Sequence, residues 1–194
     1  MRFQWRSDNY KMFSGDFQQL NANGDQTWYD GNGDLHRSGG LPAIENINGH
    51  CEWWVHGQRH RGGDQPAVSY INGTQEWWVN NMRHRQGGSP AVMTAFGGLE
   101  WYVNGSRHRD HGLPAVEYLE VYREWWANGN RHRDHGLPAV EYENKYREWW
   151  VNNQRHRDGG LPAVNHIDGR REWWVNGVRH NGLLVMECRI SKIK

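Results

Sequence analysis

The side chains in this sequence that could do chemistry are histidines, tryptophans and arginines, and all of them recur at one fixed interval. Seven histidines follow one another every 24 residues, from His36 to His180, and six tryptophans keep the same interval from Trp53 to Trp173. In most repeats the histidine stands between two arginines, as His108 does between Arg107 and Arg109. Residues of these types can ligate metals, transfer protons or stack a cation on an aromatic ring.

The regular histidines do not predict a metal or catalytic centre. Equivalent strands of successive repeats would lie ~9.6 Å apart, twice the strand spacing, whereas zinc needs its donors within ~2.1 Å of one ion. Asp110-His111 and Asp134-His135 could take part in acid–base chemistry, but no nucleophile motif accompanies them and both pairs stand in a glycine-containing loop. We therefore expect no metal, no cofactor and no catalytic residue.

Two turn signals per repeat identify the elements that must position these side chains. Each unit reads approximately as E-W-W-V-N-G-x-R-H-R-x-x-G-L-P-A-V-x-Y. Asn104-Gly105 is typical of a two-residue hairpin loop, and Asn72-Gly73 marks a second turn shortly before the next Trp pair. Helical periodicity is absent. The sequence predicts an all-β fold, an elongated, twisted or curled single-layer antiparallel sheet of seven tandem 24-residue β-hairpin repeats.

The turn positions also predict the strand registers. With Asn104-Gly105 as the two central residues, the expected pairs are Val103 with Ser106, Tyr102 with Arg107, Trp101 with His108 and Glu100 with Arg109. With Asn72-Gly73 central, they are Val68 with Trp77, Tyr70 with Gln75 and Ala67 with Trp78. At two links the turn is replaced by Glu120-Val121 and by Asn144-Lys145, where we expect a different geometry because valine resists positive φ.

Alternation along these strands predicts two chemically different faces. The apolar face is expected to carry Trp77, Val79, Val68, Tyr70 and His84, and the amphipathic face Trp78, Glu76, Arg83 and Arg85. An indole beside a guanidinium on an open face could bind a ligand, each pair contributing about 0.5–2 kcal/mol. The alternative is purely structural: Arg85, Arg133 and Arg157 would pair with Glu76, Glu124 and Glu148 across the hairpin and cover the indoles.

The repeats that begin at Glu100, Glu124 and Glu148 break the uniformity by adding tyrosines and histidines, so the predicted binding surface is centred there. Its predicted residues are Trp78, Arg83, Tyr102, Arg107, His111, Tyr118, Tyr122, Trp126, Arg131, His135, Tyr142, Tyr146, Trp150 and Arg155.

Composition limits the classes of partner and the organisation of the chain. The 23 basic and 22 acidic residues give a net charge of +1, too little to attract a polyanion or an anionic membrane by charge alone. Residues 1–26 are expected to form an N-terminal cap, 27–181 the seven repeats and 182–194 a C-terminal capping strand. Cys51 and Cys188 stand far apart, and no charged-then-apolar leader opens the chain, so we expect a cytoplasmic, disulfide-free protein without membrane insertion.

Stretches such as WVNGVRH resemble the MORN repeat, whose pattern runs roughly Y-x-G-x-W-x-N-G-x-x-H-G-x-G. The resemblance covers residues 27–181 and extends to the MORN-variant repeats of YwqK-type antitoxins and to the HRxxGPA arrays of phages and large DNA viruses. The sequence departs from MORN where the glycine after the histidine is replaced by Arg61, Arg85 or Arg109. The resemblance implies an extended sheet used for protein contacts or assembly, in a viral, phage or toxin-neutralising setting.

Three functions from different classes follow as hypotheses. The first is a non-enzymatic scaffold that binds a protein partner, since Trp, Tyr and Arg are enriched at interface hot spots; homo-oligomerisation is compatible with it. The second is binding of a nucleotide or single-stranded nucleic acid, with indoles as stacking platforms and arginines for phosphates. The third is an enzyme of unknown type, which the absence of a nucleophile motif disfavours.

Overall fold

The computed structural model describes residues 10–13 and 15–181, with side chains from residue 15 onward. Within these residues the protein is all-β, and its one helical element is a short 3-10 turn at Ser38–Gly40. The chain divides into two compact units, residues 1–96 and 97–194, each of which is described separately below. The predicted C-terminal capping strand at 182–194 lies outside the described residues, as does the first part of the predicted N-terminal cap.

The first unit contains one antiparallel main sheet and two outer hairpins. Its main-sheet strands, in spatial order, are β1 (Tyr10–Phe13), β2 (Asp16–Leu20), β3 (Gln26–Tyr29), β4 (Ile44–Glu45), β5 (Cys51–Glu52), β8 (Val68–Ser69), β9 (Gln75–Glu76) and β12 (Val92–Met93). The outer hairpins are β6 (Trp54–Val55) with β7 (Gln58–Arg59), and β10 (Trp78–Val79) with β11 (Met82–Arg83). The strand order of the sheet is linear, so the sheet within this unit is open.

The second unit repeats this arrangement. Its main-sheet strands are β13 (Gly98–Glu100), β16 (Val116–Tyr118), β17 (Tyr122–Glu124), β20 (Val140–Tyr142), β21 (Arg147–Glu148), β24 (Val164–Asn165), β25 (Arg171–Val175) and β26 (Val178–His180). The outer hairpins are β14 (Tyr102–Val103) with β15 (Ser106–Arg107), β18 (Trp126–Ala127) with β19 (Asn130–Arg131), and β22 (Trp150–Val151) with β23 (Gln154–Arg155).

The first tryptophan of each doublet joins the main sheet to the outer hairpin. The backbone N–H of Trp125 donates to the main-sheet carbonyl of Ala139 (2.8 Å), while its own carbonyl accepts from His132 in the hairpin (3.1 Å). The strand therefore changes partners at this residue. For this reason the predicted pairing of Glu100 with Arg109 is wrong: Glu100 pairs with Val116 in the main sheet.

The registers of the outer hairpins are confirmed. Tyr102 lies opposite Arg107 and Val103 opposite Ser106, as the two-residue loop predicts. Both central loop residues, Asn104 and Gly105, have positive φ (47° and 81°). The expected backbone contact between Trp101 and His108 is also present, since His108 N–H donates to the Trp101 carbonyl at 3.1 Å.

The registers of the main-sheet hairpins differ from the prediction by one residue. Val68 lies opposite Glu76 and not Trp77, and the Tyr70 N–H donates to Thr74 and not to Gln75.

The expected pairing of Ala67 with Trp78 fails for the same reason: Ala67 N–H donates to the Glu76 carbonyl. The turn has three loop residues, ending in Gly73 at φ 88°, as in a type I turn followed by a glycine bulge. A shift of one residue exchanges the faces, so Val68 shares its face with Glu76 and not with Trp77.

The two links without glycine behave differently from each other. At the first, Val121 keeps an ordinary φ and the positive φ moves to Glu120 (57°), so the prediction of a different geometry is confirmed there. At the second, Lys145 itself adopts φ 70° and donates its N–H to Tyr142, which is the bond that glycine makes in the regular turns. The prediction is therefore wrong for Lys145.

The core of each unit repeats with the sequence. An alanine follows the proline of each repeat that has one, and it is fully buried in all six cases: Ala43, Ala67, Ala91, Ala115, Ala139 and Ala163. The next residue, a valine in most repeats, and the first tryptophan of most doublets are also buried, as Val116 and Trp125 show. A methyl group at the alanine position lets two sheet strands and the tryptophan meet closely, and a larger side chain would overpack this contact.

The glycine at the main-sheet turn supplies a conformation that other residues adopt at a cost. We expect Gly73→Ala to destabilise the protein by about 1–2 kcal/mol, because φ is 88° there although nothing lies within 4 Å of the added Cβ. Gly62→Ala is the matched control, since its Cβ is equally unobstructed and its φ is not in the left-handed region. Urea denaturation measures both; an equal free energy of unfolding for the two variants would contradict the turn assignment.

Candidate binding surface

The outer hairpins carry a ladder in which aromatic rings and guanidiniums alternate, and we call it the outer ladder. In the first unit Arg59 lies over Trp54 of its own hairpin and over Trp78 of the next, both at 4.7 Å from the ring centroid. Arg83 then lies over Trp78 at 5.0 Å. Trp78 thus has one guanidinium from its own hairpin and one from the preceding hairpin. These two guanidiniums cover the ring that was predicted to bind a ligand.

The outer ladder of the second unit contains most of the predicted ladder residues. Its members, in order, are Tyr102, Arg107, Trp126, Arg131, Trp150, Arg155 and Trp174, with cation-to-centroid distances of 4.8–5.6 Å. The predicted juxtaposition of Trp126 with Arg131 is present, because the two residues are directly opposite in the hairpin. The ladder spans successive hairpins and so ties the repeats together.

A buried or half-buried glutamate in each repeat compensates the positive charge of the outer ladder. The Glu148 carboxylate accepts from the Trp150 indole (2.5 Å) and from Arg155 (3.1 Å), and also from the Tyr146 hydroxyl. In the sheet this glutamate lies between two buried valines, Val140 and Val164. The guanidiniums of the outer ladder are therefore paired with carboxylates and are not available to neutralise phosphates without breaking these bonds.

The predicted arginine partners of these glutamates are wrong: each glutamate pairs with the arginine two positions earlier in its repeat. Glu76, Glu124 and Glu148 pair with Arg83, Arg131 and Arg155, and not with Arg85, Arg133 and Arg157. The cause is the change of partners at the first tryptophan, which ends the outer-hairpin pairing before the glutamate, so that Glu100 lies opposite Val116 and not opposite Arg109. The structural alternative is thus the better description of the glutamate–arginine pairs, although through the other arginine of each repeat.

The second arginine of each repeat belongs to an inner stack on the first tryptophan. Arg133 lies 3.6 Å from the Trp125 ring centroid and donates to the Pro138 carbonyl at 3.1 Å. The same geometry places Arg85 over Trp77 at 3.9 Å, so its predicted position on the Trp78 face is wrong. The equivalent stacks are Arg37 on Trp28, Arg61 on Trp53, Arg109 on Trp101 and Arg157 on Trp149.

The predicted tyrosines come together in a separate row on the main sheet of the second unit. Tyr118 stacks on Tyr122 (4.9 Å between centroids), Tyr122 on Tyr142 (5.1 Å), and Tyr146 meets Tyr142 edge-on (5.5 Å). Burial, together with the neighbouring Glu124 carboxylate, raises the pKa of Tyr122 to about 12. Tyr146, which donates to Glu148, links this row to the outer ladder.

The predicted histidines His111 and His135 lie apart from both rows, at exposed positions in the loops that follow the outer hairpins. They adopt φ 63° and 62° there. The repeat histidine before each of them holds the same loop, since His108 contacts Asp110 and His132 contacts Asp134 at 3.0 Å. The predicted site residues are therefore distributed over three places: the outer ladder, the tyrosine row and these loops.

In the first and the last repeat that carry this glutamate, Glu52 and Glu172, hydrogen bonds stabilise its ionised form. Burial is the largest influence on Glu52 and raises its pKa, but bonds from His50 and Arg59 outweigh it, so the pKa is lowered. Glu172 behaves in the same way, with His166 and Trp174 as its donors. These carboxylates therefore favour the folded state at neutral pH and lose that contribution as the pH falls through their lowered pKa values.

The sequence analysis did not identify a row of exposed apolar residues at the tips of the main-sheet hairpins, which we call the tip row. In the first unit Ile47, Ile71 and Phe96 have exposures of 78%, 70% and 92%, and in the second unit Leu119 and Ile167 are also exposed. For Ile47 and Ile71 the available signal was an apolar residue directly before an Asn-Gly pair, a position that is usually polar.

A scan of protein-family models and a search of curated proteins found no match for this chain. Among the described residues no group of three or more His, Cys, Asp or Glu is arranged to hold a metal ion. In the same part of the chain, no helix is long and apolar enough to cross a membrane. The resemblance to MORN repeats therefore stays a prediction from the sequence motif.

Removing one buried carboxylate tests whether the outer ladder depends on it. We expect Glu148→Gln to lower the free energy of unfolding by about 1–3 kcal/mol, because Tyr146, Trp150 and Arg155 all donate to this side chain. Glu143→Gln, an exposed position in the same unit, should change it by less than ~0.5 kcal/mol. Chemical denaturation followed by Trp fluorescence measures both, and equal effects would rule out the buried-carboxylate role.

The tyrosine row predicts a loss of stability at alkaline pH. Since the folded-state pKa of Tyr122 is raised to about 12, the neutral phenol stabilises the fold fully below the unfolded pKa of about 10 and loses this effect as the pH rises toward the folded value. We expect the wild-type protein to lose about 1–2 kcal/mol more than Tyr122→Phe between these two values. Urea denaturation across this range measures the difference; parallel curves would contradict it.

Proposed function

We propose that this protein is a non-enzymatic repeat scaffold that binds a protein partner through the tip row. The observation that carries the proposal is the exposure of Ile47, Ile71 and Phe96 at successive hairpin tips. Burying an exposed Ile or Phe completely in an interface contributes about 1.5–3 kcal/mol. The fold gains little from these side chains where they stand, so their apolar surface is available to a partner.

The composition around the tip row indicates the partner's surface. The turns at residues 46–50 and 70–74 of the first unit contain no Asp, Glu, Lys or Arg. Their asparagines are used internally, since Asn48 and Asn72 accept from the backbone two residues on. The Asp25 carboxylate contacts the first of these turns, where it accepts from the Ile47 N–H at 3.0 Å. Exposed apolar side chains in turns of otherwise uncharged, self-bonded polar groups favour a mainly apolar partner surface.

The internal pairing of the outer ladder favours a protein partner over a nucleic acid. A base that stacked on Trp126 would have to displace Arg107 or Arg131, which lie over its ring at 5.2 Å and 4.8 Å. A phosphate would compete with Glu124 for Arg131, whose ion pair is 3.1 Å long. Both steps cost interactions that the free protein already makes.

Substitution of the tip row tests the proposal. The immobilised protein should capture a stoichiometric partner from an extract of its source cell, and Ile47→Ser/Ile71→Ser should reduce that capture at least tenfold, which corresponds to ~1.4 kcal/mol. Because both isoleucines are exposed, the variant should keep its thermal midpoint. Quantitative mass spectrometry of the captured proteins provides the measurement.

Val55→Ser/Met82→Ser is the matched control, because both residues are 41% exposed on the outer hairpins of the same unit. It should leave capture unchanged. Equal loss in both variants, or no captured protein with the wild type, would overturn the proposal.

A further inference from the structure

The loops that return from the outer hairpins form a second periodic surface in the second unit. Three successive loops have the pattern Asp-x-Gly-Leu-Pro, and they begin at Asp110, Asp134 and Asp158. The side chains of these aspartates are 73%, 79% and 97% exposed. The leucine three positions later is nearly half exposed in each loop, at Leu113, Leu137 and Leu161. We call these six residues the Asp–Leu row.

The turn itself does not require the residues of the Asp–Leu row. In the second unit it is formed by His111 and Gly112, with φ 63° and 67°. In the first unit Gly87 and Gly88 adopt φ 74° and 72° at the equivalent positions. There the aspartate is replaced by Gln86 and the leucine by serine. The same backbone thus forms without the acidic and apolar side chains, so the turn does not depend on them, although each aspartate also contacts the repeat histidine of its loop at 3.0 Å.

Continuous grooves lie between these loops. One groove, with a volume of about 490 Å³, is lined by Leu113, Leu137, Trp125 and Trp126. The next groove is lined by Leu137, Trp149 and Trp150, so the two share a wall. The two grooves cross the three loops, and Asp, His and Arg side chains line them together with the leucines and the tryptophans.

The charge presented along these grooves is acidic. The adjacent Arg109, Arg133 and Arg157 are held inward, each stacked on a tryptophan at 3.6–3.7 Å and donating to a proline carbonyl. The first two also pair with Glu117 and Glu141 at 3.3 Å. Among the described residues, each Asp carboxylate of the row contacts an imidazole at 3.0 Å and is otherwise largely exposed. A ligand on this surface must therefore be basic as well as apolar.

The spacing of the loops specifies the ligand further. Equivalent loops are two strands apart, ~9.6 Å, and a polyproline II helix repeats its side-chain directions every three residues, or ~9.3 Å. Aromatic-lined grooves are a common binding site for this conformation. We propose that the Asp–Leu row binds a basic polyproline II segment of a protein, with one apolar residue and one Lys or Arg in every three.

A synthetic peptide tests this proposal with the purified, full-length chain. Fluorescence anisotropy with a labelled peptide of four Pro-Leu-Arg triplets should give saturable binding, while four Pro-Leu-Glu triplets, equal in length and conformation, should bind at least tenfold more weakly. Two Pro-Leu-Arg triplets, too short to reach all three loops, should also bind more weakly. Equal binding of the basic and acidic peptides, or no binding of the longer basic peptide, would overturn the proposal without any variant being needed.

Variants locate the binding on the Asp–Leu row. Asp110→Asn/Asp134→Asn/Asp158→Asn should weaken the basic peptide at least tenfold, and Leu113→Ser/Leu137→Ser/Leu161→Ser should weaken it at least fivefold. The control Glu120→Gln/Glu143→Gln/Asp168→Asn removes the same number of exposed charges from the hairpin tips of the same unit and should change affinity less than twofold. An equal effect of the control would overturn the proposed location.

This surface is separate from the tip row, so the two proposals can fail independently. Ile47→Ser/Ile71→Ser should bind the basic peptide as the wild type does. Peptide binding lost from the wild type with partner capture retained would remove the Asp–Leu proposal alone. Peptide binding retained without partner capture would remove the tip-row proposal alone.

Discussion

The pairing of the repeat glutamate, buried or half-buried in each case, is the interaction on which the rest of the structure depends. Glu148 sits in the main sheet between Val140 and Val164, where an unpaired carboxylate would cost several kcal/mol. It is retained because donors from the outer hairpin reach it, the Trp150 indole and the Arg155 guanidinium. The carboxylate thus couples the main sheet to the outer hairpin, and the outer ladder can form only where the hairpin is held in that position.

The same coupling fixes how neighbouring repeats associate. Arg131 pairs with Glu124 of its own repeat while lying over Trp126 and over Trp150 of the following repeat, both at 4.8 Å. The backbone adds to this, since Asn153 accepts from the Arg131 N–H through its side chain at 2.6 Å. A repeat is therefore incomplete without its neighbour, as expected for a repeat architecture in which each unit buries its surface against the next.

The sequence predicted the period, the all-β class and the outer hairpins, but not the faces of the main sheet. Asn-Gly closes a two-residue loop at Asn104-Gly105 and ends a three-residue loop at Asn72-Gly73, and the dipeptide alone does not distinguish the two. The resulting error of one residue exchanged the faces of the main sheet, while the arginine assigned to each glutamate was wrong because the outer hairpin ends at the first tryptophan. At Val121 the avoidance of positive φ was correctly anticipated, whereas Lys145 adopts it, because a long unbranched side chain tolerates that conformation better than a β-branched one.

The candidate site could be predicted by residue type but not by availability. Tryptophan and arginine at fixed spacing indicated stacking, and stacking is present, but pairing within the ladder occupies the groups that were expected to bind a ligand. Whether the indoles and guanidiniums are already paired depends on contacts between repeats, which periodicity alone does not reveal. Conversely, Ile47 was not identified and Asp110 was considered only for acid–base chemistry, because the sequence does not show which exposed turn residues align from repeat to repeat. Their significance comes from the fold, which places equivalent side chains at successive tips and loops.

Recognition by such a protein is constrained by its strand spacing. The backbone sets an interval of ~9.6 Å between equivalent positions, and the ladder of buried carboxylates keeps this interval by tying each hairpin to the next. The repeats differ from one another mostly where a side chain takes no part in that coupling, at the hairpin tips and the return loops, as Leu113 and Ser89 at equivalent positions illustrate. A ligand that matches the interval can make several weak contacts at once, because the fold already holds the contacting side chains at this spacing before the ligand binds. Affinity would then depend on the number of loops engaged more than on any single residue.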